Sequence, residues 1–311
     1  MKAFIMRNFD TPPAVDTVPS PQPGPGEVLV RVRAASVNGF DRAVAAGMLR
    51  GMMEYPFPVV LGRDFAGTID AVGEGTSRFA AGDAVFGAVA DPATLFSGSF
   101  AEYLTVPETA HITHVPDGVD VVHAGALALA GAAALRAVDA IAPQPGETIV
   151  VSGATGGVGA YAVQLAVARG ATVIATAKPG DGADFVRRLG AAHVVDYTSD
   201  LAAQVRAIAP DGVDAVIHAA GDVAELGALL ASGGRLASTL LMSPDQAALD
   251  GVVVTAVMAN PDAVTLDRLA AEVAAGRLQV PIQQTYPLAE AGQAFADFSG
   301  ALGKVVIAID A

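Results

Sequence analysis

The segment from Thr148 to Thr172 constrains the fold of this 311-residue chain more than any other. It begins with the β-branched run 148–151, which predicts a buried strand. A helix of small residues follows over Ala160–Arg169 and ends at Gly170, since glycine favours the left-handed conformation after a helix. Between the strand and the helix stands a cluster of glycines: Gly153, Gly156, Gly157 and Gly159. A strand, a glycine-rich turn and a helix in this order form the fingerprint of a dinucleotide-binding site.

The turn has a physical reason to bind a pyrophosphate. Glycines let the backbone turn sharply and approach the ligand, and the free N–H groups and dipole at the helix start favour negative charge. We therefore assign the whole loop to the cofactor, namely Gly153, Ala154, Thr155, Gly156, Gly157, Val158 and Gly159. The alternative is a tight turn between a strand and a helix in another kind of α/β protein.

Strand and helix patterns divide the chain into two domains. In the first part, Glu27–Ala34 alternates apolar and charged residues with the period of a half-exposed strand. From Val121 onward, Ala-rich helices alternate with apolar strands, which predicts a doubly wound parallel sheet. The predicted fold class is α/β. We expect a mostly β, barrel-like domain over 1–119 and 262–311, and a doubly wound domain over 120–261.

Turn residues and periodicity set the expected bounds of single elements. We predict one helix over Val121–Ile141 and another over Asp262–Ala275. In the second domain we predict strands at Thr148–Val151, Thr172–Ala175, His193–Val195, Ala215–Ala219, Gly234–Ser238 and Val252–Ala256, and helices at Ala183–Leu189, Leu201–Ile208 and Val223–Leu230. In the final segment we expect Gln279–Tyr286 as a strand, Ala289–Phe298 as a helix and Gly303–Ile309 as a strand.

The charge of the chain bears on its partners. The net charge is −14 and the isoelectric point is near 4.6, so no extended basic surface is available for nucleic acid or anionic membranes. No apolar run reaches the roughly 18 residues of a membrane span. The N-terminus lacks the long apolar stretch of a signal peptide. We expect a cytoplasmic protein with a small-molecule partner.

The chain contains no cysteine, which excludes disulfides, thiolate nucleophiles and Cys-bearing zinc sites. His111 and His114 stand three residues apart, but they lie in a β-like stretch between Pro107 and Pro116 without a further ligand at suitable spacing. We therefore expect no metal site.

The end of the second strand bears on the choice of cofactor. Sites selective for NAD usually place a carboxylate there to bind the ribose 2′-hydroxyl. Here the strand ends in Thr176, Ala177 and Lys178, with no carboxylate at its tip. A hydroxyl and an ammonium group suit a 2′-phosphate, so we predict NADPH with Thr176 and Lys178 as ligands. Alternatively, Lys178 is a solvated surface residue and Asp181 approaches the ribose.

Further motifs accompany this loop. The first domain contains VNGFD at 37–41, PVVLGRDFAG at 58–67 and GSFAEY at 98–103, and the chain closes with GKVV at 303–306. With the GATGGVG loop, these motifs resemble the quinone oxidoreductase group of the medium-chain dehydrogenase/reductase superfamily. The resemblance extends over essentially the whole chain.

The resemblance implies a GroES-like catalytic domain built from both chain ends, and a Rossmann domain that binds NADPH between them in sequence. It also implies a homodimer that pairs through the Rossmann domain. Zinc-dependent relatives have Cys where this chain has Asn38, and His-Glu where it has Arg63 and Asp64. The resemblance therefore points to a zinc-free member.

By the same resemblance, Asn38 and Asp41 face the substrate and the nicotinamide, although both residue types also cap helices. Several relatives carry tyrosines a few residues later, where this chain has Ala43 and Leu49. Tyr55 is the aromatic hydroxyl nearest to them in sequence and completes the candidate catalytic set. We expect a more apolar and roomier acceptor site than in those relatives.

The resemblance places Tyr197 near the adenine ribose phosphate, although a tyrosine there could equally cover the end of a strand. Ala219 and Ala220, which follow the fourth strand, are also assigned to the cofactor. His218 precedes them, and we expect it to be buried, neutral and hydrogen-bonded to backbone rather than a general acid.

Together these features predict a zinc-independent, NADPH-dependent oxidoreductase that transfers hydride to a quinone or to an activated C=C bond of a small hydrophobic acceptor. Asn38, a backbone N–H or water would stabilise the resulting anion, and solvent would supply the proton. One alternative is an enoyl reductase that acts on acyl thioesters or polyketide-type intermediates. Another is an NADPH-binding sensor or structural protein with little turnover.

Overall fold

The computed structural model of the chain describes residues 1–52, 54–89, 97–247 and 249–310. In chain order, the strands are β1 (Lys2–Met6), β2 (Ala14–Thr17), β3 (Glu27–Ser36), β4 (Val59–Val60), β5 (Asp64–Val72), β6 (Ala84–Ala88), β7 (Tyr103–Pro107), β8 (Ile112–His114), β9 (Thr148–Ser152), β10 (Thr172–Thr176), β11 (His193–Val195), β12 (Val213–His218), β13 (Leu230–Ser238), β14 (Val253–Ala256), β15 (Ile282–Pro287) and β16 (Lys304–Ala308). The helices are α1 (Gly39–Ala45), α2 (Val121–Ala124), α3 (Ala128–Ile141), α4 (Gly157–Ala168), α5 (Asp181–Arg188), α6 (Leu201–Ile208), α7 (Val223–Gly227), α8 (Ala263–Ala274) and α9 (Ala291–Asp297), with short 3-10 turns at Pro244–Gln246 and Leu288–Glu290.

Contacts within the chain define two compact units. The first contains Met1–Leu129, Asn260–Ala275 and Ile282–Ala311, and the second contains Ala130–Ala259 and Gly276–Pro281. Leu129, at the end of a segment of the first unit, donates its backbone N–H to the Asp64 carboxylate of that unit at 2.7 Å. Gln279 of the second unit donates its backbone N–H to the Gln164 side-chain oxygen at 2.8 Å. As domain boundaries, 119/120 and 261/262 stay predictions.

A seven-stranded sheet forms the centre of the first unit. Its order is β15-β16-β3-β5-β6-β8, and β7 also pairs with β3. The long strand β3 pairs antiparallel with β5, β7 and β16, so strands from both ends of the chain share one sheet. A smaller sheet has the order β2-β1-β4. Aromatic side chains fill the core of this unit, among them Phe4, Phe65, Phe86 and Phe100.

The second unit contains a parallel sheet in the order β11-β10-β9-β12-β13-β14. The chain moves outward in one direction from β9 through β10 to β11, and in the other through β12, β13 and β14. This order is that of a doubly wound fold, in which ligands bind at the carboxyl ends of the strands where the direction reverses. The predicted doubly wound sheet is confirmed.

Several element bounds differ from expectation for physical reasons. The single helix predicted over Val121–Ile141 is wrong, because α2 ends before Gly125 and α3 begins at Ala128. Gly125 packs against β3, where an added Cβ would lie 2.9 Å from the Ala34 carbonyl oxygen. The strand predicted from Gln279 begins only at Ile282, after a proline, which has no N–H for a strand ladder.

Candidate functional site

The cofactor loop follows β9 and leads into α4. Gly153 has a φ of 75°, which a side chain would disfavour, and an added Cβ would lie 2.9 Å from the Ala220 Cβ. An added Cβ on Gly159 would lie 2.2 Å from the Gly153 carbonyl oxygen and 2.6 Å from the Ala154 Cα. The close packing of the turn against the helix therefore requires glycine at both positions.

The start of α4 has room for a ligand. Gly156 is its N-cap and provides no side-chain hydrogen bond. An added Cβ there would lie 3.5 Å from the Gly153 carbonyl oxygen, an ordinary contact, so protein packing does not demand a glycine. Residues 155–158 are half-buried while Ala154 and Gly159 are buried. An uncapped helix start at an accessible glycine fits a pyrophosphate.

Thr176 supports this loop from the neighbouring strand. Its hydroxyl accepts a hydrogen bond from the Gly153 N–H at 3.0 Å and lies 3.5 Å from the Val151 carbonyl oxygen. The side chain is buried. The structure thus places the Thr176 hydroxyl on the backbone of the cofactor loop, and its role as a cofactor ligand stays a prediction.

Lys178 and Tyr197 come together at the carboxyl ends of β10 and β11. The Lys178 Nζ lies 6.0 Å from the centroid of the Tyr197 ring, and both side chains are exposed. Hydrogen bonds from Thr198 and the charge of Lys178 lower the pKa of the Asp196 carboxyl. Asp181 begins α5 close by and is exposed as well. Lys178 as a ligand of the 2′-phosphate and Asp181 as a ligand of the ribose therefore both stay predictions.

Ala219 and Ala220 lie directly beside the start of the cofactor loop. The Ala219 N–H donates to the Ser152 carbonyl oxygen at 3.1 Å, and the Ser152 hydroxyl donates to the Ala220 carbonyl oxygen at 2.6 Å. The structure therefore brings the predicted alanines together with Gly153, at the point where β12 ends next to β9.

His218 is buried at the end of β12. Its Nε2 lies 3.1 Å from the Gly221 carbonyl oxygen and its Nδ1 lies 2.9 Å from the Ser238 hydroxyl. Leu240 and Leu241 donate their N–H groups to the same hydroxyl oxygen, so its proton is directed at Nδ1. The Gly221 carbonyl oxygen is the partner of Nε2, so both ring nitrogens have partners inside the protein. The expected buried, backbone-bonded histidine is confirmed.

In the first unit, Asn38 ends the segment after β3 and is the N-cap of α1. Its carboxamide Nδ2 donates to the Ser36 carbonyl oxygen at 3.1 Å and to Asp64 Oδ2 at 3.0 Å. Its Oδ1 accepts a hydrogen bond from Lys304 Nζ at 2.7 Å. Both amide hydrogens are therefore used inside the unit, and the side chain has a single orientation.

Asp64 is the centre of this buried cluster. Its Oδ2 also accepts from the Ser36 hydroxyl at 2.5 Å, and Lys304 Nζ lies 3.4 Å away. Its Oδ1 accepts from the Leu129 N–H. Burial lowers the pKa of Lys304, an effect that the charges of Asp64 and Asp41 oppose. Opposite charges compensate each other here, as buried ions require.

Asp41 caps the start of α1 from the inside. Its Oδ2 accepts the Asn38 backbone N–H at 2.7 Å, which is the reciprocal half of a capping box. Burial raises the pKa of the Asp41 carboxyl to about 7, and the charge of Asp64 adds to this. Asp41 thus shares a cluster with Asn38, as expected, and has a clear structural role there.

Arg63 lies beside the same cluster. Its Nη1 donates to the Val89 carbonyl oxygen, and its guanidinium carbon lies 4.2 Å from the centroid of the Phe40 ring. Burial lowers the pKa of Arg63 to about 10, against the charges of Asp41 and Asp64. Among the described residues, its buried Nε has no hydrogen-bond partner.

Tyr55 stands apart from the two other predicted catalytic residues. Its hydroxyl donates to the Val44 carbonyl oxygen at 3.2 Å, in the last turn of α1, whereas Asp41 lies in the first turn. Its ring packs against Phe9 and Phe57, with centroid distances of 4.8 and 5.8 Å.

Sequence reasoning did not predict the roles of Ser36, Arg63 and Lys304. A signal was present for Lys304, since a single lysine stands in an otherwise apolar strand. A lysine that is fully buried needs a partner, and the partner is an acid from the opposite end of the chain.

A catalytic zinc ion does not fit the donor set at this place. The positions that the resemblance aligns with zinc ligands hold the Asn38 carboxamide and the Arg63 guanidinium, and the Lys304 ammonium lies beside them. Two cations would repel a metal ion. Within the described ranges, no three His, Asp or Glu side chains gather as a metal site. The same part of the chain holds no helix with the length and apolarity to cross a membrane.

Comparison with known proteins gives matches along most of the chain. The profile of the family "Alcohol dehydrogenase GroES-like domain" matches residues 24–117, and that of "Zinc-binding dehydrogenase" matches residues 189–307. A chloroplast envelope quinone oxidoreductase homolog of Arabidopsis thaliana is 31% identical over 310 residues, which cover 93% of this chain and 92% of that protein. A mycocerosic acid synthase-like polyketide synthase of Mycobacterium tuberculosis is 34% identical over 319 residues, or 94% of this chain but 14% of that protein.

Solved structures share the whole fold. A crystal structure of an NAD-dependent alcohol dehydrogenase superimposes with a TM-score of 0.89 at 29% identity and covers 100% of both chains. A mycobacterial protein complexed with NADPH superimposes with a TM-score of 0.86 at 28% identity, covering 99% of this chain and 100% of that one. The first unit is accordingly GroES-like and the second is a Rossmann-type sheet. From these matches, the chain belongs to the quinone oxidoreductase group of the medium-chain dehydrogenase/reductase superfamily.

Proposed function

We propose that this oxidoreductase uses NADPH and transfers hydride to a quinone or to the activated C=C bond of an enone or enal. The observation that carries the proposal is the buried cluster around Asp64, in which Lys304 and Arg63 supply positive charge without a metal ion. A conjugated carbonyl acceptor gains negative charge on reduction and needs such a field, whereas the activation of an alcohol needs a Lewis acid or a base.

The cofactor would bind in the second unit. The loop from Gly153 to Gly159 would bind the pyrophosphate through the start of α4, with Ala219 and Ala220 beside it. Lys178 would meet the 2′-phosphate, and Tyr197 would cover the adenine ribose. When bound, the nicotinamide supplies the hydride.

The acceptor would bind in the first unit. Because both amide hydrogens of Asn38 are already used, Asn38 can make a further hydrogen bond only as an acceptor, through the second lone pair of its Oδ1. Asp41 holds the backbone of Asn38, and Tyr55 holds the far end of α1. Solvent supplies the proton that completes the reduction.

The test is a spectrophotometric comparison of NADPH and NADH oxidation with quinones, alkenals and acyl thioesters. We expect NADPH to be used with quinones or alkenals and NADH to be used poorly. Equal use of both nucleotides would contradict the cofactor assignment. Tight NADPH binding without oxidation of any acceptor would support a sensor or structural protein instead.

A second candidate is an enoyl reductase that acts on acyl thioesters. The similarity to a segment of a polyketide synthase, which spans 94% of this chain, favours it. In the same panel, a higher kcat/KM for acyl thioesters than for free enals of equal chain length would select this candidate.

We also propose a homodimer that forms along the free edge of the parallel sheet. β14 is the last strand in the sheet order. Apolar side chains near this edge are exposed, namely Leu240, Met242, Val253 and Met258. Such a patch beside the edge strand of a sheet favours association. A cytoplasmic location stays a prediction, since the relative from Arabidopsis thaliana is named for the chloroplast envelope.

A further inference from the structure

The polar cluster of the first unit leaves few hydrogen-bond donors for a substrate. Lys304 has three N–H donors, and its Nζ has three acceptors within reach: the Val37 carbonyl oxygen at 3.4 Å, Asn38 Oδ1 at 2.7 Å and Asp64 Oδ2 at 3.4 Å. The two amide hydrogens of Asn38 are used as well. Neither residue has a donor to offer to an oxygen on which charge develops.

Arg63 differs from both. It is 7% exposed, so it is almost completely removed from water. Within the described ranges, its guanidinium makes one hydrogen bond, from Nη1 to Val89, and its Nε is buried without a partner. The charges of Asp41 and Asp64 raise the pKa of Arg63, yet among the described residues neither carboxylate forms an ion pair with it. With a pKa of about 10, Arg63 stays cationic at neutral pH.

A buried guanidinium in this state is costly. Buried cations are normally paired and hydrogen-bonded, because removal from water costs several kcal/mol per ion otherwise. The Phe40 ring compensates in part and fixes the plane of the group at 4.2 Å. Donors of a stacked guanidinium point outward in its plane, where they suit an oxygen acceptor.

Resting on the proposed function, we propose that Arg63 binds the carbonyl oxygen of the acceptor. The hydride comes from NADPH, which becomes NADP⁺, and forms a C–H bond at the β-carbon of an enone or an O–H bond at one oxygen of a quinone. The conjugated π bonds shift, and the electron pair comes to rest on the enone oxygen or on the opposite quinone oxygen, which is the oxygen that Arg63 binds. A proton from water then neutralises the oxyanion. Arg63 binds the oxygen more tightly once it is negative, which is the requirement for lowering the barrier. The substrate class is therefore conjugated carbonyl compounds, and acidic hydroxyquinones are expected to bind as anions.

The test compares two ligands of similar size without turnover. 2-Hydroxy-1,4-naphthoquinone is an anion at pH 7, and 2-methyl-1,4-naphthoquinone is neutral. Their dissociation constants are measured by calorimetry with the oxidised cofactor present. We expect the wild-type protein to bind the anion about 10- to 100-fold more tightly, as charge-assisted hydrogen bonds allow. The Arg63→Gln variant should lose this preference, while Arg63→Lys should keep part of it.

Arg33 provides the matched control, since it lies on the exposed face of β3 in the same unit and Arg33→Gln removes the same charge. This control should keep the preference. The inference is overturned if wild-type protein binds both quinones equally, a result that does not depend on any variant folding. It is also overturned if Arg63→Gln keeps the preference. Because binding is read directly, a protein that reduces no acceptor but prefers the anion would refute the proposed function and leave the role of Arg63 standing.

Discussion

The ammonium of Lys304 lies 2.7 Å from the carboxamide oxygen of Asn38, across 266 residues of sequence. Because an ammonium group only donates, this contact decides which end of the carboxamide faces it. The amide nitrogen then faces Asp64 and Ser36. The orientation of Asn38 thus depends on a residue near the other end of the chain.

We predict that Lys304→Met lowers the free energy of unfolding by about 3–5 kcal/mol, the usual cost of removing one partner of a buried ion pair. The reason is that Asp64 would stay buried without its cation. Urea denaturation of Lys304→Met, Asp64→Asn and the double variant measures the coupling. The double variant should be clearly more stable than the sum of the single effects predicts. Strict additivity would show that the two charges do not depend on each other.

The raised pKa of Asp41 predicts a pH dependence of stability. The carboxyl titrates at about 7 in the fold, against a reference value of 3.8. Between these values the folded protein holds a proton that the unfolded chain has lost, so stability falls as pH rises from about 4 to 7. The loss amounts to about 4 kcal/mol at full ionisation.

Asp41→Asn is the natural comparison, because its amide oxygen still accepts the Asn38 N–H. Urea midpoints are measured at several pH values between about 4.5 and 7.5. As pH rises, the midpoint of the variant should increase relative to that of the wild-type protein. A constant difference over this range would mean that Asp41 titrates normally.

Substitutions of two glycines in the cofactor loop distinguish an effect on stability from an effect on cofactor binding. We predict that Gly159→Ala destabilises the protein by about 1–3 kcal/mol or more, since its Cβ would collide with the Gly153 carbonyl oxygen at 2.2 Å. Gly156→Ala has space and an extended backbone, so it should cost less, about 0.5–1 kcal/mol, since alanine is a poorer N-cap than glycine. Its methyl group would stand at the helix start that we propose for the pyrophosphate. Gly156→Ala should therefore impair NADPH binding in a fluorescence titration while losing less stability than Gly159→Ala in thermal denaturation.

Lys178 should set the preference for the phosphorylated cofactor. We predict that Lys178→Met weakens NADPH binding about tenfold, the scale of one charge-assisted contact, and leaves NADH binding unchanged. Arg206→Met, at an exposed position of α6, serves as a control for net charge. Equal weakening of NADPH and NADH binding would indicate that Asp181 or another group contacts the ribose and sets the preference.

The free edge at β14 can be tested by the oligomeric state. We predict that Val253→Lys converts a dimer into a monomer, because it places a charge in the exposed apolar patch. Light scattering coupled to size exclusion gives the mass directly. Val264→Lys, an equally exposed valine in the first unit, should leave the dimer intact. A wild-type monomer would end the proposal of a homodimer.

Local signals predicted the second unit well. The strand His193–Val195 and the helix Leu201–Ile208 have the bounds that the sequence indicates. Asp200 caps the start of the helix and Pro210 follows its end, and Asp196 directly follows the strand. The glycine turn was equally readable, because its conformation depends on neighbours within a few residues.

The cluster of the first unit was not readable in this way. Asn38 and Asp41 looked like helix caps or ligands, and the structure shows capping contacts together with bonds to Asp64 and Lys304. Those partners are distant in sequence, and no local pattern reports which acid a buried lysine will meet. The break at Gly125 was missed for the same reason, since its cause is the backbone of β3.

The carboxylate of Asp64 gathers donors from three separate stretches: Ser36 and Asn38, then Leu129, and finally Lys304. Lys304 is synthesised 240 residues after Asp64. The growing polypeptide therefore carries an acid without its cation throughout the synthesis of the entire nucleotide-binding unit. The charge pairing around Asp64 is therefore completed only after the second unit has been synthesised, which leaves that unit free to form first.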